Sequence, residues 1–200
     1  MKVITDIADL EALYGKPGEA SLRKVATHLT PTYKQWIDAS RFCVLTTVGP
    51  EGTDGSPRGD DGPVVTSPDP NTLLMPDWRG NNRMDSLRNI VRDGRVSLMF
   101  MVPGAVNVIR VNGTAQLSDD PALTSQFEQK GRHPATVIVI TIAEVYSQCA
   151  RAVMRAGLWN RDDTAGLPTM GDILADVTNG EIDGSAYDLA WPDRAAKSMW

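Results

Sequence analysis

Five arginines stand at positions 79, 83, 88, 92 and 95 against two aspartates, Asp85 and Asp93, in the same stretch. In a 200-residue chain of net charge −5 this is a local excess of three positive charges. The stretch that carries it, LLMPDWRGNNRMDSLRNIVRDGR (73–95), reads as a strand end, a polar turn and a helix. Leu73, Leu74 and Met75 form the strand end, which stops at Pro76. The turn Asp77-Trp78-Arg79-Gly80 leads into a helix that opens at Asn81-Asn82-Arg83, since Asn is a strong N-cap residue. Met84, Leu87, Ile90 and Val91 line one apolar face, and Gly94 closes the helix. A helix N-terminus that follows a strand offers unpaired N–H groups and a favourable dipole to an anion. Arg83 in the first turn opposes that dipole, and a bound phosphate would relieve the cost. A solvated amphipathic helix with charges on its outer face is the competing reading.

A second candidate lies upstream, in Pro57-Arg58-Gly59-Asp60-Asp61-Gly62-Pro63. It is either a plain loop between strands or a place where backbone approaches a ligand while a guanidinium grips it. Arg110, inside VIRVNG, either faces solvent or meets an anion, because an arginine is seldom buried without a partner. Arg151 and Arg155 fall one turn apart in CARAVMRAGLW (149–159). Other chemistry is sparse. His28 and His133 are isolated, Cys43 and Cys149 share no metal or redox spacing, and there is no GxSxG motif. Metal ligation and acyl-transfer hydrolysis therefore have no residues to rest on, and no catalytic side chain is assigned.

The elements that must position these residues change period near residue 41. Residues 1–40 read as helical: Ile4, Ile7, Leu10 and Leu13 before Gly15, a second segment from Glu19 to Leu29, and a third from Tyr33 to Ala39. Tyr14, Tyr33 and Trp36 read as packing residues. FCVLTTV (42–48) is a strand, PEGTDGSP a turn-rich connection, and Val64–Thr66 a short edge strand. Val96–Val102 and Ala105–Leu117 are strands, a helix runs from Asp119-Asp120-Pro121 to about Lys130, and Ala135–Val145 is another strand. Helices follow over Met170–Thr178 and Ser185–Ala190, and Lys197–Trp200 frays. Six or seven strands with tight turns predict an antiparallel sheet closed into a barrel. The fold class is mainly β (α+β) with peripheral helices. The chain reads as a single domain, with a helical extension at 1–40 and another at 165–200.

Hydrophobic residues make up 42 % and charged residues 22 % of the chain, as in an ordinary globular protein. The acidic balance gives no reason to expect nucleic acid, and a local basic cluster suits a small anion. No apolar run approaches the ~20 residues of a membrane span. The N-terminus carries acids where a secretory signal carries bases, so a cytoplasmic location is expected.

Taken in order, the SPRGD run, the PDWRGNNRMDSLRN turn and helix, RVSLMF, VIRVNG and CARAVMRAGLW resemble the pyridoxamine 5′-phosphate oxidase-like flavoproteins over roughly residues 35 to 165. The PDxxGNNRxDSLRN pattern is the specific part. The resemblance implies a split β-barrel that binds FMN at the interface of a homodimer. It places Arg58, Gly59 and Asp60 along the isoalloxazine and ribityl side, and Pro76 and Asp77 at the strand end beneath the flavin. Asn82 and Arg83, helped by Ser86, would hold the phosphate, and Arg155 and Trp159 would reach it from the partner subunit. The sequence departs from the oxidases proper at Val108, beside Asn107, where those enzymes carry a flavin-contacting Gln. Their residues for pyridoxal phosphate have no match after residue 115. Three functions follow: an FMN-dependent oxidoreductase with a small-molecule substrate or electron donor, a non-catalytic flavin-binding or sensing protein, or a barrel of the same outline that holds haem or a deazaflavin.

Overall fold

A computed structural model describes residues 1–200. Seven strands form one antiparallel sheet: β1 (Phe42–Gly49), β2 (Gly52–Gly59), β3 (Thr66–Asp69), β4 (Thr72–Asp77), β5 (Arg95–Met101), β6 (Val108–Ser118) and β7 (Thr136–Gln148). Their spatial order is β2-β1-β5-β6-β7-β4-β3. The sheet curls into a split barrel, as its mainly β pattern predicts. Alternation builds the core. Cys43 and Leu45 on β1, Val96, Leu98 and Phe100 on β5, and Ile109, Val111 and Ala115 on β6 all point inward.

On β7 the inward set is even-numbered (Ile138, Ile140, Ile142) and then odd (Val145). A bulge causes the change of parity: Asn112 pairs with Glu144 but Gly113 with Ile142, so Ala143 is the extra residue. A Cβ on Gly113 would lie 2.0 Å from the Thr141 carbonyl oxygen, so the bulge requires glycine opposite it.

Helices surround the barrel: α1 (Ile7–Tyr14), α2 (Glu19–Arg23), α3 (Pro31–Asp38), α4 (Asp85–Arg92), α5 (Pro121–Thr124), α6 (Arg151–Ala156), α7 (Met170–Val177) and α8 (Gly184–Ser198). Thr30 caps α3 through the Tyr33 N–H, with Pro31 at its first position. Helix α4 packs on β1 and β6, where buried Asn89 donates to Thr47 Oγ1 at 3.1 Å. No helix is long and apolar enough to cross a membrane.

Several boundaries depart from the sequence reading. GTDGSPRG is a full strand, β2, and not a turn-rich connection; it pairs residue for residue with β1 from Gly49↔Gly52 to Phe42↔Gly59. The ladder supplied by β1 outweighs its poor strand propensity. The segment expected as a helix from Glu19 to Leu29 is helical only to Arg23. Beyond it the chain extends, so that Ala26 bridges to Val145 and the Leu29 N–H donates to the Pro70 carbonyl. The edge strand lies at Thr66–Asp69, not Val64–Thr66, and leaves Val64 and Val65 in the core. Strand β4 continues through Pro76 to Asp77, and β6 begins at Val108 because Pro103 to Asn107 form the preceding turn. Helix α5 is four residues, capped by Asp120, and does not reach Lys130. Helix α8 runs on through Pro192 to Ser198, where Ser185–Ala190 was expected.

Candidate functional site

The largest correction concerns the start of α4. Asn82 and Met84 both adopt left-handed backbone, with φ of 61° and 55°. Neither is helical, and the helix begins at Asp85 with Met84 in the capping position. Asn82 is therefore not the N-cap, and Arg83 is not in the first turn. Asn81 takes the turn-forming role instead: its side-chain oxygen accepts from the Arg83 N–H at 3.1 Å. Arg83 Nε donates to Asp85 at 2.7 Å, with the arginine side chain 80 % exposed. No side chain caps α4, so the first-turn N–H groups of Asp85, Ser86 and Leu87 stay available to a ligand or solvent.

These residues line one side of a cleft of about 1380 Å³. The barrel supplies the other side, where the end of β2 faces the ends of β4 and β7. Arg58 on β2 forms an ion pair with Asp77 on β4, although the two strands lie far apart in the sheet order. Their side chains are only 19 % and 18 % exposed. Arg58 Nε, however, has no partner, and neither does the Thr136 hydroxyl on β7, the strand residue paired with Asp77. Both atoms are buried in the wall of the cleft, where an unmet polar group is costly.

Asp60 fixes the adjoining rim. It accepts from the Trp78 indole N–H at 2.6 Å, from Gln129 Nε2 at 2.8 Å and from the Asp61 backbone N–H at 2.7 Å. Ser86 donates its hydroxyl to Asp54 on β2, which ties α4 to the strand below. Arg58, Arg79, Arg83 and Arg132 face the cleft, as do Asp54, Asp60, Asp77 and Asp85, so the formal charges balance. The acids are engaged as just described, whereas Arg79 is in no ion pair and remains free to meet an anion. His133 also lines the cleft, with Nδ1 2.6 Å from the Phe127 carbonyl oxygen. A carbonyl only accepts, so Nδ1 carries the proton and a neutral ring keeps its lone pair on Nε2.

Arg58, Gly59, Asp60, Pro76, Asp77, Asn82, Arg83 and Ser86 thus meet in one cleft. Arg155 and Trp159 lie elsewhere in the same chain. Arg155 lies in the last turn of α6, and the Trp159 indole N–H donates to the Ala105 carbonyl at 2.7 Å, in the β5–β6 connection. Arg110 meets no anion within the chain: its guanidinium donates to Ser97 at 3.2 Å and lies 5.6 Å from the Tyr146 ring. Asp54, Trp78, Arg132, Thr136 and Trp200 line the cleft without having been singled out as site residues. For Asp54 and Thr136 the signal would have been strand register, which shows only once β2 and β7 are paired.

A smaller cavity of about 400 Å³ opens where Tyr33 and Trp36 of α3 meet Asn107, Ile109 and Cys149. Cys149 is exposed, and the Arg151 backbone N–H and charge hold its thiol below the usual range. Cys43 is buried in the barrel, where loss of solvent pushes its thiol up to about 12.

Comparison with curated proteins finds no match. Among solved structures the chain is similar to HupZ of Group A Streptococcus (17 % identity, 60 % of this chain and 93 % of that one, TM-score 0.49). It is also similar to a putative pyridoxamine 5′-phosphate oxidase of Lactobacillus delbrueckii (22 %, 60 % and 95 %, 0.47). A third neighbour is an FMN-binding protein of Syntrophomonas wolfei (13 %, 58 % and 83 %, 0.45). The family model described as pyridoxamine 5′-phosphate oxidase matches residues 29–149, which hold the whole barrel and eight of the candidate site residues. With that match over more than half its length, the chain belongs to the pyridoxamine 5′-phosphate oxidase family.

Proposed function

We propose that this chain binds FMN in the cleft between β2, β4 and the 78–87 segment, and acts as an FMN-dependent oxidoreductase on a small molecule. The observation that carries the reading is the pair of buried, unpartnered groups in the cleft wall, Arg58 Nε and Thr136 Oγ1. A flat heterocycle rich in nitrogen and oxygen would satisfy both once the Arg58 and Thr136 side chains turn from the wall toward it. Arg58, Gly59 and Asp60 would lie along the ring and ribityl chain, with Pro76 and Asp77 at the strand end beneath it. Asn82 and Arg83 would turn to the phosphate, with the first-turn N–H groups of α4 and Ser86 beside them. Arg79, one of the five clustered arginines, joins this set. Bound FMN would supply the redox chemistry, accepting and returning electrons at its ring. The protein's part is to hold the ring, to neutralise the phosphate and to exclude water.

The same reading makes the chain a homodimer. Arg155 and Trp159 lie outside the cleft of their own chain, so any contact they make with the ligand comes from a second copy. It also treats residues 1–200 as one domain with helical extensions at 1–40 and 165–200. Both cysteines are free thiols, which suits a reducing, cytoplasmic setting.

A second reading, haem in the same cleft, has one observation in its favour: the open Nε2 of His133 at the rim. The two separate on purification. A flavin absorbance spectrum from protein that light scattering shows to be a dimer supports the first, and a Soret band supports the second. Anaerobic bleaching of the flavin colour by NADH or NADPH marks an oxidoreductase; a flavin that neither reductant bleaches marks a binding or sensing protein.

A further inference from the structure

Helices α7 and α8 form a hairpin that packs principally on itself. The two cross at Gly171 and Gly184, where a Cβ on Gly171 would lie 2.1 Å from the Gly184 carbonyl oxygen. Asp188 locks the crossing by accepting from the Gly171 N–H at 2.9 Å. The far end of α8 returns to the cleft. Met199 and Trp200 line it, and the Trp200 ring meets Trp78 edge to face, with centroids 5.7 Å apart and planes at 89°. Arg132, on the loop before β7, donates to the backbone carbonyls of Trp200 at 2.5 Å and Lys197 at 3.4 Å. One partner of this contact is rigid, because the Trp78 indole is pinned to Asp60. The other is held by one arginine and one aromatic pair, at the end of a hairpin with little other purchase on the barrel.

We propose that Lys197–Trp200 is a lid over the cleft, with Trp78 and Arg132 as its latch, and that Trp200 is the site residue that decides which planar ligands enter and stay. This deepens the reading of the cleft as a ligand site and rests on it. Closed, the lid screens the wall that carries Arg58 and Thr136 from solvent; open, it leaves Trp78 as an uncovered aromatic face.

Thiol labelling tests the lid without any ligand. In a Cys149→Ser background, with Cys43 buried, Thr136→Cys places a single reactive thiol in the cleft wall. Its reaction with a maleimide should be slow, and should speed up about tenfold when Trp200→Ala or Arg132→Ala removes one element of the latch. Equal rates in all three proteins overturn the proposal. Should Thr136→Cys fail to fold, Ser56→Cys, half-buried on β2 in the same cleft, serves as the probe. Adding FMN separates the two ideas. Protection of the thiol by FMN supports the flavin reading, and its absence counts against that reading while the ligand-free rates still decide the lid.

Discussion

Arg58 and Asp77 are ion-paired across the mouth of the barrel, yet Arg58 Nε stays buried without a partner. The pair joins β2 at one edge of the sheet to β4, one strand in from the other edge, so it serves the fold as well as the cleft. Breaking it from one side should therefore cost more than replacing both partners. Asp77→Ala leaves a largely buried guanidinium without its counter-charge, and is expected to lower stability by about 3 kcal/mol. The double replacement Arg58→Met with Asp77→Leu should recover most of that loss. Urea unfolding of the two variants checks it, and a double variant no more stable than Asp77→Ala would refute the compensation.

Gly113 is the position least able to accept a side chain. A Cβ there would press on the Thr141 carbonyl and the Ala143 nitrogen, which are backbone atoms in a paired strand. Gly113→Ala should destabilise the barrel by about 3 kcal/mol, the upper end for overpacking. Thermal unfolding monitored by circular dichroism measures it; a change within 0.5 kcal/mol of zero, as for ~neutral surface substitutions, would remove the bulge argument.

How much of this could be read from the sequence depends on whether local or distant residues set the conformation. Strands β1, β5 and β7 were legible, because apolar or β-branched residues alternate or run together there. β2 was not: Gly52, Gly55, Pro57 and Gly59 all read as turn, and only the ladder with β1 makes them a strand. The eight cleft residues were reachable through the SPRGD run and the PDWRGNNRMDSLRN pattern together, but their geometry was not. Asn82 has the composition of a cap, yet left-handed backbone at Asn82 and Met84 moves the capping position two residues on, from Asn82 to Met84. Trp200 carried no local signal, since its place against Trp78 depends on how α7 and α8 fold back.

The two thiols should differ sharply in reactivity. Cys149 is exposed and its thiolate is favoured by Arg151, so native protein should lose one thiol quickly to iodoacetamide at neutral pH. Because the shift is downward, the rate should hold until the pH falls below the lowered value and then decline. Cys43, at about 12 in its buried setting, should react only after denaturation. Two fast thiols in the native protein, counted by mass spectrometry, would contradict the placement of Cys43.

Acid should loosen the α7–α8 hairpin. Asp172 completes a capping box with Thr169, and those hydrogen bonds hold its carboxyl below the usual range. A depressed carboxyl stabilises the fold above its unfolded value, and that contribution disappears as pH falls through the folded one. Amide exchange in residues 170–177 should therefore rise between about pH 4 and the lower, folded value, and Asp172→Asn should flatten that rise. An unchanged pH dependence in Asp172→Asn would place the acid response elsewhere.

The central claim is that the cleft holds a flavin by its ring and its phosphate together, and equilibrium titration with FMN and riboflavin tests it most directly. Wild-type protein should quench FMN fluorescence saturably and bind FMN at least about tenfold more tightly than riboflavin, as a charge-assisted grip on phosphate requires. Replacing Arg83 or Arg79 by Ala should weaken FMN by about tenfold and leave riboflavin nearly unchanged, with little loss of stability, because exposed arginines contribute under ~1 kcal/mol to the fold. Equal affinity for the two flavins, or no saturable quenching by either, would contradict the account.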